Sequence, residues 1–150
     1  MPEKKTLERA AKDKRQGKAP TTQAGEFVRE EMDHVREGKH GARSTKQAIA
    51  IGLSKARRAG VALPPPRKGD ASAKTRASAQ RDAAAGRRGN SSVSATRSRA
   101  ASAALKHEPH AAASKRALSM HARAAASERT AAERSAAARK AAKTRRALDE

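Results

Sequence analysis

Bulky apolar side chains are scarce in this chain. Of 150 residues only sixteen are Val, Ile, Leu, Met or Phe, against thirty-eight alanines, and Phe27 is the one aromatic. Eleven of the sixteen fall within residues 1–66, which end at Pro64-Pro65-Pro66; only Val93, Leu105, Leu118, Met120 and Leu148 follow. So little apolar area does not offset the roughly 1–2 kcal/mol of backbone entropy lost per ordered residue. A large core is therefore excluded. The expected fold is mainly α: a small two-helix hairpin at residues 21–63, a Pro-rich linker at 64–69, and a low-complexity Ala/Ser/Arg-rich basic tail at 70–150, helical in segments or disordered. Residues 1–20, with Leu7 as their one large internal apolar residue, read as a basic arm or frayed helix.

Within the hairpin, Ala24, Phe27, Val28, Met32 and Val35 recur at helical spacing and make one apolar stripe. Thr21 and Thr22 are natural N-caps, and Gly38 is placed as the C-terminal stop. The second helix starts at a capping box, Ser44-Thr45-Lys46-Gln47, and ends at Gly60, with Val61 available for the accompanying apolar contact. Ala48, Ile49, Gly52, Leu53, Ala56 and Ala59 share a face at 100° per residue, and Gly52 permits close approach of the first helix. Ile51 lies off that face, either as an ordinary exposed residue or as a contact to a third element. In the tail, Asp70 reads as an N-cap, Gly86 as a stop, Asn90-Ser91-Ser92 as caps and Pro109 as a helix start.

Charge sets the function class. Lys and Arg number 35 against 15 Asp and Glu, a net +20, which implies a polyanionic partner. The segment from Lys39 to Gly60 carries Lys39, Arg43, Lys46, Lys55, Arg57 and Arg58 and no acid. With His40 these form the expected nucleic-acid face, the loop glycines and the positive end of the second helix helping to hold a phosphate. Arg67, Lys68, Arg87, Arg88, Arg139, Lys140, Arg145 and Arg146 extend it. Glu26, Glu30, Asp33 and Glu37 form an acidic ridge that, with Ile51, is the candidate surface for a protein partner or a second copy. DNA is favoured over RNA, because Phe27 sits on the buried stripe and leaves no aromatic platform for unpaired bases.

Other chemistries find little footing. There are no cysteines, no G-x-S-x-G elbow, no P-loop and no G-x-G-x-x-G, so no enzyme and no cofactor are expected. The histidines His107, His110 and His121 are read as incidental rather than as a metal site, and His34 as a partner for an acidic neighbour. The longest strongly apolar run, Ala48 to Leu53, is far short of the roughly 20 residues of a membrane span, so no membrane association and a cytoplasmic location are expected. The competing expectation is a structural interaction protein whose hairpin captures a protein partner, with the tail a solubilising or RNA-tethering arm.

The run KQAIAIGLSKARRAG, Lys46 to Gly60, resembles a module that recurs in small basic bacterial proteins of an uncharacterised family, and with GEFVREEMDHVREGKHGARST, Gly25 to Thr45, the likeness extends over about residues 17 to 66. Members are usually labelled only as DNA-binding, plasmid-stabilisation-like or uncharacterised proteins. The resemblance implies a bacterial source and leans toward nucleic acid; it supplies no catalytic residues and no established fold. Taken with the charge, the expected role is a nucleoid-associated or accessory DNA-binding protein with little sequence preference. The tail resembles the Ala/Lys-rich tails of bacterial histone-like proteins, although arginine outnumbers lysine 14 to 6 after Pro66.

Overall fold

The computed structural model describes residues 1–89 and 94–149, and resolves two compact units, Met1–Ser114 and Lys115–Glu150. The first holds α1 (Lys4–Arg15), α2 (Pro20–Arg36), α3 (Thr45–Arg58), α4 (Ala73–Arg87), α5 (Ala95–Lys106) and a single 3-10 turn at Ala111–Ala113. The second holds α6 (Lys115–Ser127) and α7 (Ala131–Asp149). No strand occurs among the described residues beyond an isolated bridge between Lys68 and Ala71.

The expected pair of amphipathic helices is α2 and α3. Pro20 occupies the first turn of α2, where its missing N–H costs nothing, so the helix starts ahead of Thr21 and Thr22 rather than being capped by them. Gly38 ends it with φ +73. Ser44 caps α3 by accepting from the Gln47 amide, as the sequence indicates, while the Gln47 side chain reaches one residue further back than the capping box expects and accepts from the Arg43 amide. At the other end, Gly60 takes φ +87, its amide donates to Arg57 O, and the Val61 amide reaches back to Ala56 O. That double closure lays Val61 against the core.

Phe27, Met32, Val35 and Ala24 of the α2 stripe are buried, and a Cβ on Gly52 would lie 2.7 Å from Val28 Cα, so α2 and α3 cross nearly backbone to backbone. The core joins Ala10 of α1, Ala24 and Phe27 of α2, Ala56 of α3 and Leu63, with Leu53 and Val61 against it. Full burial of Phe27 contributes about 1.5–3 kcal/mol.

The isolated two-helix hairpin is corrected by the structure, and of the two alternatives for the tail it is the helical segments, α4 to α7, that occur among the described residues. Residues 1–20 are not a frayed arm: α1 packs on α2, burying Thr6, Ala10 and Asp13. Beyond the proline run, α4 packs on α3, with Gly86 so close that a Cβ there would overlap Arg57 O, and Asp82 accepting from Ser54 and Arg58. Residues 105–113 close over the α2–α3 loop, as described below. The reason is that alanine and glycine let backbones approach directly, so packing here does not require the bulky side chains whose scarcity argued against it. Ile51, in line with Ser54 and Arg58 on the α4 side of α3, is half-buried. Asp70 does not cap α4; Ser72 does, accepting from the Thr75 amide, and the helix runs one residue past Gly86. The expected caps at Asn90, Ser91 and Ser92 lie outside the described residues, and Ser94 caps α5.

In the second unit, Ala117, Leu118, His121 and Ala125 form a half-buried stripe along α6. Helix α7 begins at a full capping box: Glu133 accepts from the Thr130 amide and hydroxyl, and its own amide donates to Thr130 Oγ1. Those bonds from Thr130 hold the Glu133 carboxyl below its ordinary range.

Candidate functional site

Eleven carboxylates fall within residues 1–114, and nine of them lie within 4 Å of a cationic side chain. The acidic ridge is therefore largely spent inside the molecule. Glu26 binds Arg9, Asp33 binds Arg36, and Glu37 binds Lys39. Glu30 is buried, where desolvation pushes its carboxyl up, yet bonds from the Thr6 hydroxyl, the Glu3 amide and Lys55 outweigh this and hold it below the usual range. The ridge thus offers no continuous exposed acidic surface. Residues 21–37 favour α-helix, and a helix delivers acids at three- and four-residue steps to the same neighbours that bury its apolar stripe; sequence spacing alone does not distinguish the two destinations.

The expected basic face divides in the same way. Arg43 and Lys46, at the start of α3, are exposed and make no ion pair among the described residues. Lys55 is instead directed inward, 2.6 Å from Glu31 Oε2 and 3.3 Å from Glu30 Oε1. Arg57 is buried and donates to Leu63 O and Pro64 O, holding the proline run against α3; burial lowers its affinity for its proton. Arg58 binds Asp82. Lys39 bridges Glu37 and Glu3, and bonds to both raise it above its usual range. His40 contacts Glu31. Of the expected hairpin set, only Arg43 and Lys46 remain open to a phosphate without breaking an internal contact.

The loop that carries them is also not a flexible cradle. The Gly41 amide donates to Leu105 O and the Ala42 amide to Pro109 O. Arg36 donates to Ala113 O, Thr45 Oγ1 to Ala112 O, and His110 Nδ1 to Val35 O. Gly41 is required by proximity, since a Cβ would overlap the Glu108 carbonyl. The partners lie more than sixty residues away, which no local motif signals.

Outside the hairpin, Arg67, Lys68, Arg87 and Arg88 are exposed, without ion pairs among the described residues. On α7, Arg139, Lys140, Arg145 and Arg146 are exposed and point around the axis rather than to one side. The second unit carries ten basic and four acidic residues.

A group of polar residues around the buried Glu31 carries no signal in the sequence as a unit. Glu31, His34 and His40 each offer a donor atom within 4.8 Å of the others, and Glu3 approaches His34 at 2.8 Å. Bonds from His34 and Lys39 hold the Glu3 carboxyl below its ordinary range. The acidic partner expected for His34 exists, but it comes from ahead of α1 rather than from a sequence neighbour.

Comparison with known proteins adds one finding. A family of unknown function (DUF6496) matches residues 4–68, which span α1 to α3 and the proline run. No curated protein and no solved structure matches the chain.

Proposed function

We propose that this chain is a non-enzymatic nucleic-acid-binding protein that engages duplex DNA largely without regard to sequence, by neutralising phosphates, and that it associates with the bacterial nucleoid. The observation that carries the reading is the segregation of charge. Nine of the eleven carboxylates of the first unit are held in intramolecular pairs, whereas Arg43, Lys46, Arg67, Lys68, Arg87 and Arg88, and the cations of α7, face solvent. An excess of +20 distributed in this way favours a polyanion over an apolar protein surface, and a nucleic-acid backbone is the densest such charge.

Contacts of this kind position a duplex without reading it, since phosphates carry no sequence code. Phe27 is buried, so base stacking on an aromatic side chain has no platform, which favours duplex DNA over single-stranded RNA. No helix is long and apolar enough to cross a membrane among the described residues.

The test is fluorescence anisotropy with several duplexes of unrelated sequence, and with single-stranded DNA and RNA, at one salt concentration. Duplex affinities within a few-fold of one another support the reading. A single sequence bound far more tightly than the rest, or a preference for RNA, contradicts it.

A further inference from the structure

Inside a chain with a large positive excess lies one locally acidic network. Glu37, Lys39, Glu3 and His34 are linked in series, and Glu31 joins His40 to Lys55 and Glu30. Glu3 and Glu37 are half-exposed, but Glu30 and Glu31 are buried and share the single ammonium of Lys55, so with neutral imidazoles the buried part carries one uncompensated negative charge. Glu31 is 1% exposed, and the side chains of His34 and His40 are 13% and 15% exposed. Buried charge at this level needs a counter-ion.

The bonding of the rings indicates its kind. His40 Nδ1 is 2.9 Å from Gly41 O and donates to it, which leaves the lone pair of Nε2 directed at Glu31 Oε1, 2.8 Å away. A nitrogen lone pair and a carboxylate oxygen do not approach so closely without a proton or a metal ion between them, and the two are told apart by experiment. The other oxygen of Glu31, Oε2, is tied to Lys55 as an ion pair, 2.6 Å apart, which orients the carboxylate. His34 is oriented by Glu3. A histidine held by a backbone carbonyl, another by a carboxylate, and a ligating carboxylate braced by an ammonium are the outer supports that metal sites use.

We propose that Glu31, His34 and His40 bind one divalent transition-metal ion, zinc by the chemistry of the donors, with Glu3 as the next oxygen in reach. Two imidazoles and carboxylate oxygen suit zinc, whose bonds of about 2.0–2.2 Å require only small outward shifts of the Glu31 and His40 donors. His34 enters either through Nδ1, with Glu3 orienting the ring, or through Nε2, with Glu3 beside it as a further ligand; both arrangements keep Glu3 in the site. The ion would join the segment ahead of α1 to α2 and to the α2–α3 loop, and would balance the buried excess negative charge of Glu30 and Glu31. The site is independent of the nucleic-acid reading.

The test uses the full chain stripped with chelator and titrated with Zn²⁺ against a chromogenic competitor, and separately with Co²⁺. One equivalent bound, intense visible Co²⁺ bands of low coordination number, and paramagnetic shifts of the His34 and His40 ring protons are expected. His34→Gln and His40→Gln abolish the stoichiometric equivalent, Glu3→Gln weakens it about 10-fold or more, and His121→Gln leaves it unchanged. Circular dichroism checks that each variant folds; if His40→Gln does not, the wild-type Co²⁺ spectrum and ring-proton shifts decide. Binding that survives in folded His34→Gln and His40→Gln overturns the proposal as adventitious capture by other histidines. So does an absence of metal uptake, with ¹⁵N spectra showing both rings doubly protonated at neutral pH, since protons would then supply the missing charge.

Discussion

The carbonyl of Glu108 lies against the Cα of Gly41, with no room for a side chain between them. That contact, far apart in sequence, lets Gly41 and Ala42 donate to Leu105 O and Pro109 O and turns the α2–α3 loop into an interior surface.

Gly41→Ala is therefore expected to destabilise the first unit by about 2–4 kcal/mol, from overpacking against backbone and the strain on two hydrogen bonds. Gly25→Ala is the matched control. Nothing lies within 4 Å of a Cβ at Gly25, which is exposed within α2, so the helix-propensity gain of up to about 1 kcal/mol is retained. Thermal melts of the two variants should move in opposite directions, and amide exchange at Ala42 should accelerate only in Gly41→Ala.

Removing Lys55 leaves Glu30 and Glu31 buried without their shared ammonium. Lys55→Met is expected to cost about 3–5 kcal/mol, because a buried charge loses its partner. Lys4→Met, which removes an exposed pair with Glu8, should cost at most about 0.5 kcal/mol. Denaturant titration of both variants checks the contrast.

The capping box of α7 gives a pH signature. The folded state holds the Glu133 carboxyl below its unfolded value, so its contribution to helix stability is present above the unfolded pKa and is lost as pH falls through the lowered folded one. Side-chain NMR of the full chain should show Glu133 titrating below the ordinary glutamate range, and Thr130→Ala should return it upward while fraying the start of α7.

Much of α2 and α3 was legible from residues alone. The stripe ending at Val35, the cap at Ser44, the stop at Gly60 and the close crossing at Gly52 each rest on local rules that the structure obeys. What lay beyond reach were contacts between small residues distant in the chain: Ala10 in the core, Gly86 on Arg57, Gly41 on Glu108. Counting bulky apolars undervalues such packing, because alanine and glycine contribute by admitting a neighbouring backbone. The same blindness applied to charge. Glu30 and Lys55 read as parts of opposite surfaces, yet they face each other, and the acidic network around Glu31 draws on residues from Glu3 to Lys55. Thr130-Ala131-Ala132-Glu133 carries a capping-box signal that the surrounding low-complexity sequence masks.

Surface and interior arginines should separate in function. Arg43→Gln combined with Lys46→Gln is expected to weaken duplex binding several-fold with little change in stability, since neither makes an ion pair among the described residues. Arg57→Gln should do the reverse: it loses charge-assisted bonds to Leu63 O and Pro64 O worth about 1.5–3 kcal/mol each while leaving DNA affinity of the folded protein unchanged. Anisotropy and thermal melts on the same samples compare the two.

The central claim, phosphate neutralisation by exposed cations, is tested most directly by the salt dependence of duplex binding. If about ten cations displace counterions, log affinity falls linearly with log salt at a slope near −9. Replacing Arg139, Lys140, Arg145 and Arg146 by glutamine should make that slope shallower by about three to four. A slope near zero for the wild-type chain, with affinity retained at high salt, would contradict the account.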